Sequence, residues 1–559
     1  MNYCRSSQSR PRSNLLALDV QYFVRSLSPI LVSEMKTKNA FTIAAVLLMI
    51  VFGRAGTAYS QYENPVLRGM NPDPSIVRVG RDYYLATSSF EYFPSCPIYH
   101  SLDLVHWQRV GYALSRPSQF AKLSQHPSTY AATLRYHDGT FYLITTDVRG
   151  GGNFYVTARH PAGPWSDPIK IDTGMFDGSL FFDSDGTVYY TRRGPGVRKG
   201  IVQATINISN GQLTSPLRTI SKGMVSSDAE GPHLYKLNGW YYLVQAEGGS
   251  RFLHMETVGR SKSPWGPFTP DPDNPFVSQR ISWNYPVLSV GHCDWTDTPE
   301  GKWWIVCLGT RHPNYNSFSI GRETFLYPMQ WKNDWPSVQQ QDIDQLQVNA
   351  PVPMPHPWSP RPSRDNFDST KLDDEWNTIG PLGFGTFSLT ERPGFLRLHG
   401  QESLLSFRSA TAFVGRRQTE WTSRAETQLE FNPKSENEEA GLAVLMSPTY
   451  HYEIFVTTRG GQRVVVLRKQ AGDISQIAAQ FPVPQGPLRL RIDSDAKKYS
   501  FYYADTTGDW KPLGNGLERL ISSEVAAVWS GAYFGMYSSG NGKKSTAPAD
   551  FDWFQYEAR

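Results

Sequence analysis

Three acidic residues stand in contexts that ordinary surface carboxylates do not occupy. Asp73 is held between prolines in Asn71-Pro72-Asp73-Pro74-Ser75, and Asp177 leads into an apolar run in Phe176-Asp177-Gly178-Ser179-Leu180. Glu230 comes just before a strand pattern in Asp228-Ala229-Glu230-Gly231-Pro232-His233-Leu234. Taken singly, each reads as a turn or strand-end carboxylate. All three, however, precede a recurring hairpin by comparable distances, which puts them in register. Gathered carboxylates repel one another and lose solvation, so such a cluster persists where it performs chemistry or holds a cation. The chemistry that needs this inventory is glycosidic cleavage: a protonated carboxyl for the leaving oxygen and an ionised one to activate water.

The hairpin that sets the register is a turn pair followed by an aromatic strand. It occurs as Gly80-Arg81-Asp82-Tyr83-Tyr84, Asp138-Gly139-Thr140-Phe141-Tyr142, Asp185-Gly186-Thr187-Val188-Tyr189, Asn238-Gly239-Trp240-Tyr241-Tyr242 and Glu300-Gly301-Lys302-Trp303-Trp304. Successive copies lie about 45 to 65 residues apart, the range of a propeller blade. Five copies predict an all-β, five-bladed β-propeller over residues 61–340. Equivalent positions in different blades converge on one axis, which is how residues so far apart in sequence would meet in one pocket.

A chain of 559 residues exceeds what one core supports, so a second domain is expected. Residues 341–365 are proline-rich and read as a linker; residues 366–559 alternate polar and apolar, as in Leu488-Arg489-Leu490-Arg491-Ile492. That alternation predicts antiparallel sheet with one face exposed, in a two-sheet β-sandwich. A net charge of +4, with no basic run interleaved with aromatics past the extreme N-terminus, gives nucleic-acid binding no support.

Residues 35–60 have the anatomy of a secretory signal peptide: basic Met35-Lys36-Thr37-Lys38, an apolar run, then small residues at Ala58-Tyr59-Ser60. The run is too short for a membrane span. Residues 1–34 would bury that signal and read as a non-native N-terminal extension. Secretion to the extracellular space is the expectation. Of the cysteines beyond the signal, Cys96, Cys293 and Cys307, the last two could form a bridge; three free buried thiols fit the sequence equally.

With these motifs in place, the chain resembles glycoside hydrolase family 43, in its β-xylosidase and α-L-arabinofuranosidase branch. The resemblance covers nearly all of 61–559 and rests on Asn71-Pro72-Asp73-Pro74-Ser75, Ser88-Ser89-Phe90-Glu91-Tyr92-Phe93-Pro94, Phe176-Asp177-Gly178-Ser179-Leu180, Glu230-Gly231-Pro232-His233-Leu234, Gly321-Arg322-Glu323-Thr324 and Gly531-Ala532-Tyr533-Phe534-Gly535-Met536. It implies a concanavalin-like jelly roll for the second domain. It implies exo-acting, inverting release of terminal xylose or arabinose from xylan, arabinoxylan or their oligosaccharides. Asp73 matches the general base, Glu230 the general acid, and Asp177 the carboxylate that orients the acid and keeps its pKa high. Phe90 matches an aromatic wall. Arg311 matches an arginine that grips sugar hydroxyls and pairs with the carboxylates. Tyr533 matches a phenylalanine projected over the pocket by the second domain.

No cofactor is required on this resemblance. His292 matches a central histidine that in some relatives sits beside a divalent cation such as calcium; a satisfied core histidine is an equal reading. Two departures bear on which sugar is cut. Tyr130-Ala131-Ala132 replaces a common Trp-Ala-Pro, and residues 191–196 lack an aromatic found near the leaving-group subsite of typical bacterial β-xylosidases. The rival readings are a non-catalytic carbohydrate-binding propeller and an endo-arabinanase.

Overall fold

The computed structural model describes residues 61–559, apart from 122, 125, 197–199, 281, 283, 312–316 and 407–410. The expected extension at 1–34 and signal peptide at 35–60 lie outside the described residues. The turn residues of the repeat mark where strands reverse. Asp138 and Gly139 (φ 45° and 71°) and Asn238 and Gly239 (φ 50° and 73°) are left-handed pairs, as a two-residue hairpin turn on twisted strands requires. Each copy of the repeat joins the first and second strands of a sheet.

Five antiparallel sheets of four or five strands result, formed from residues 75–114, 129–172, 179–221, 230–278 and 287–337. Their first strands close a ring. Ser75–Val79 packs against Thr129–His137, that strand against Ser179–Phe182, then Glu230–Leu237, then Val287–Asp297, which returns to Ser75–Val79. Chain ends lock the ring: Gln61–Glu63 pairs antiparallel with Gln347–Asn349. The Asn64 side chain donates to Leu326 O (2.8 Å) and accepts from Leu326 N–H (2.9 Å), mimicking a strand neighbour. The first residues of the segment read as linker therefore belong to the propeller's closure.

Every sheet sends a side chain to the ring's axis. Asp294 accepts from Ser75 Oγ (2.6 Å), Arg135 Nη1 (2.7 Å) and Tyr235 OH, and Arg135 Nη2 donates to His233 Nδ1 (2.9 Å), which also faces Ser179 Oγ (3.2 Å). Because arginine only donates, His233 Nδ1 is an acceptor and its ring is neutral. Burial, opposed by Asp294 but reinforced by Arg135, lowers the His233 pKa to about 3. This network places hydrogen-bonded polar groups from all five sheets at the axis.

The second domain is a sandwich of an eight-stranded and a six-stranded antiparallel sheet. Ser423–Glu430 and Leu488–Ser494 alternate buried and half-buried residues as their sequence does. The six-stranded sheet departs from the one-face expectation. Glu439–Ser447 is buried throughout: Leu442 and Val444 face the sandwich core, whereas Ala443 and Leu445 join Phe455, Tyr533 and Tyr537 against Met70, Phe90 and Tyr92 of the propeller. Thr378–Ile379 also pairs with Tyr92–Phe93, so main-chain bonds join the domains. The sequence shows that these residues are apolar, but not that a second body covers them.

Cys293 and Cys307, on adjacent strands Val287–Asp297 and Trp303–Arg311, form a disulfide. Cys96 is free and buried.

Candidate active site

Asp73, Asp177 and Glu230 line one cavity of about 170 Å³. Asp73 and Asp177 stand two residues ahead of the first strands of the first and third sheets, and Glu230 begins that of the fourth. The shared register thus has a structural counterpart. Asp73, Phe90, Asp177 and His292 all have positive φ (55°, 51°, 62° and 48°), a conformation costly for non-glycine residues and tolerated where surrounding structure over-determines it. For Phe90, reciprocal backbone hydrogen bonds with Thr129 (3.0 Å each) supply that constraint. First strands at the rim carry bulges, between Tyr130 and Thr133, Glu230 and His233, and Leu288 and Gly291, which re-aim side chains into the cavity.

The three carboxyls are treated differently. Burial alone would raise Asp73, but the Arg322 guanidinium (3.1 Å), His292 (Nδ1 at 3.6 Å) and the Ser88 hydroxyl (2.5 Å) outweigh it and hold the group below its usual range. Burial, then Glu230 and Asp73, push Asp177 well above the ordinary carboxylate value, against a hydrogen bond from Gly231 N–H (3.0 Å) and the charge of Arg193. Gly231 has φ +56°, and a Cβ there would meet the His292 ring at 2.9 Å, so this donor needs glycine. Burial raises Glu230 too, with Arg193 (2.8 Å) pulling the other way and Asp228 and Asp73 adding to the rise. The cavity thus holds an ionised carboxylate facing a pair that retains a proton.

Phe90 and Tyr130 form an aromatic wall with centroids 5.2 Å apart, and Phe176 lies 5.8 Å beyond Tyr130. Two other expected residues fall elsewhere. Arg311 does not reach the carboxylates. Its guanidinium is spent on Glu323 (2.7 and 3.0 Å), Glu420 (3.0 Å) and Thr419 O (3.0 Å), tying the propeller to the second domain. Tyr533 is fully buried beneath the site, stacked on Tyr92 at 3.8 Å with its hydroxyl toward Asn377, and does not line the cavity.

Neighbouring residues take both places. Arg322, within Gly321-Arg322-Glu323-Thr324, is the arginine beside Asp73, and among the described residues its buried Nε has no hydrogen-bond partner. Trp529 is the side chain the second domain lends to the cavity, set 5.5 Å from the Arg322 guanidinium. Arg193 and Asp228 are further members; both lie within stretches whose sequence drew notice, but nothing in the residue types signalled their pairing.

Calcium takes six to eight oxygen ligands. The carboxylate beside His292 is Asp73, already engaged by Ser88 and Arg322, and among the described residues no three His, Cys, Asp or Glu side chains are grouped to hold a metal. Among the described residues, side chains alone do not assemble a cation cage at His292.

A ring of sheets that gathers one ionised carboxyl and a pair that retains a proton has the layout of a glycosidase dividing base and acid work. The model Glycosyl hydrolases family 43 matches residues 62–336, and Beta xylosidase C-terminal Concanavalin A-like domain matches residues 364–557. The chain is 41% identical over 528 residues to a non-reducing end alpha-L-arabinofuranosidase of Bacteroides ovatus, covering 93% of this chain and 99% of that protein. It is 36% identical to a xylan 1,3-beta-xylosidase of Vibrio sp, covering 88% of this chain and 98% of that one. The solved structure of a xylan beta-1,4-xylosidase from Bacillus halodurans superposes with TM-score 0.83 at 34% identity, over 89% of this chain and 100% of that one. The protein belongs to glycoside hydrolase family 43.

Proposed function

We propose that the protein is a secreted, exo-acting, inverting glycosidase that releases terminal β-D-xylose, α-L-arabinofuranose or both from xylan, arabinoxylan or their oligosaccharides. The observation that carries this reading is the opposite treatment of two carboxyls in one cavity: Arg322 holds Asp73 ionised while burial keeps a proton near Glu230. Asp73 takes a proton from water as the water oxygen attacks the anomeric carbon. Glu230 gives its proton to the glycosidic oxygen as the bond from that carbon breaks. Asp177, pushed up by burial and by Glu230, forms with the acid a pair that does not readily ionise twice, so a proton stays available to Glu230.

A cavity of about 170 Å³ bounded by Trp529 of the second domain suits one terminal ring, which favours exo action over an endo-arabinanase. Similarity to arabinofuranosidases and xylosidases alike supports pentose release without choosing the sugar. The signal-like anatomy of 35–60 and the Cys293–Cys307 disulfide both suit an oxidising, extracellular setting.

Rates on xylo-oligosaccharides and arabinoxylan, beside the two p-nitrophenyl pentosides, test the reading. Asp73→Asn should abolish release from all of them. Glu230→Gln should lose about 10²–10⁴-fold on unactivated glycosides and far less on p-nitrophenyl ones, whose leaving group needs little acid. Wild type no more active than Glu230→Gln on every substrate would support a binding propeller instead. Proton NMR of the first product should show inverted anomeric configuration.

A further inference from the structure

A general acid that sits 2.8 Å from a guanidinium presents a physical conflict. Arg193 Nη1 donates to Glu230 Oε2, which orients the carboxyl, yet a cation at that range favours the ionised form and works against proton donation. The structure contains a counterweight. Arg193 Nη2 donates to Asp228 Oδ1 at 2.6 Å, so the same guanidinium is shared between two carboxylates. We propose that Arg193 and Asp228 form a charge-balanced clamp that positions the Glu230 carboxyl on the leaving-group side of the cavity. The proposal rests on Glu230 being the acid, as inferred above.

Both halves of the clamp are held in place by neighbouring structure. Arg193 ends strand Val188–Arg193; its N–H donates to Phe176 O (3.3 Å) and its guanidinium lies 5.1 Å from the Phe176 ring centroid. Its neighbour Arg192 points to Asp172 (2.9 Å) instead, so alternation along the strand assigns one arginine to support and the other to the cavity. Asp228 follows a loop pinned by Glu247, whose carboxylate accepts from the backbone N–H groups of Met224 (2.6 Å), Val225 (3.0 Å) and Ser226. Ser250 Oγ, in the loop between strands Trp240–Glu247 and Met255–Ser261, lies 3.4 Å from Glu230 Oε1 and bounds the acid.

The charged and titratable groups facing Glu230 are Arg193 from the third sheet, Asp228 just upstream, Asp73 and Asp177 across the cavity, and Arg322 beyond Asp73, with His292 packed on adjacent Gly231. Among these, Arg193 and Asp228 act in opposite senses on the same carboxyl, and that makes the clamp testable.

In the full-length chain, Arg193→Met should move the alkaline limb of kcat/KM against pH upward by roughly one unit, because the acid loses its nearest cation. Asp228→Asn should move the same limb downward, because Arg193 is left unbalanced. On unactivated oligosaccharides Arg193→Met should also lose about 10–100-fold in kcat, with little change on p-nitrophenyl pentosides. Arg193→Lys should keep the limb but recover only part of the rate, since one ammonium cannot replace a two-pronged fork. Thermal melting shows whether each variant is folded; should Arg193→Met fail to fold, Arg193→Lys and Asp228→Asn carry the test. Limbs that stay put, or move the same way in both charge-removing variants, overturn the clamp. Unaltered activity of Glu230→Gln on unactivated glycosides would instead overturn the reading beneath it.

Discussion

Arg322 is the residue on which the protonation pattern of the site turns. Asp73 is fully buried, so its low pKa exists through compensation, with Arg322 the largest contribution. The expected pH profile of kcat/KM is a bell. Its acid limb falls as pH drops through the depressed value of Asp73, and its alkaline limb as pH rises through the raised values of the Asp177–Glu230 pair. Arg322→Met should shift the acid limb upward by about one to three units and lower activity throughout. Arg322→Lys should preserve the limb yet raise KM, because an ammonium loses the flat contact with Phe90 and Trp529. Steady-state kinetics across pH check both outcomes.

At the scale of elements, the first strands of the sheets depend on Asp294. Burial would raise this carboxyl, but Arg135 leads the groups that lower it to about 2. A depressed carboxyl contributes stability above its unfolded pKa of 3.8 and loses it as pH falls from about 4 toward 2, an effect of about 2 kcal/mol. Asp294→Asn removes one partner of a buried pair and leaves Arg135 uncompensated, which should cost about 3–5 kcal/mol at neutral pH in urea unfolding. The cost should shrink in acid, where the wild type loses the same charge.

For the whole molecule, the two domains share one site, and two aromatics of the sandwich divide the labour. Trp529 is partly exposed at the cavity, while Tyr533 is sealed in the domain interface against Tyr92. Trp529→Ala should raise KM about tenfold, equivalent to about 1.4 kcal/mol, with melting temperature nearly unchanged. Tyr533→Ala should instead destabilise by about 3–5 kcal/mol as a large buried ring is lost. Paired kinetics and thermal melts separate the roles. The opposite assignment, with Tyr533 governing KM, is what its resemblance to a pocket-covering phenylalanine suggests and what its burial denies.

Local chemistry determined much of this protein. Turn pairs such as Asp138-Gly139 and Asn238-Gly239 dictate where strands reverse, and their spacing dictates repeated sheets. Alternation in Leu488–Ser494 dictates a sheet with distinct faces. The three carboxylates were legible because their register with the hairpins is a property of the chain alone. Tertiary structure decided what depends on direction and company: which of two arginines, Arg311 or Arg322, faces Asp73, and which of two aromatics, Trp529 or Tyr533, reaches the cavity. It also decided that Cys293 and Cys307 join. The arginine and aromatic choices follow from partners distant in the chain, such as Glu420, 109 residues beyond the Arg311 it claims, and a short motif carries no record of a partner that far away.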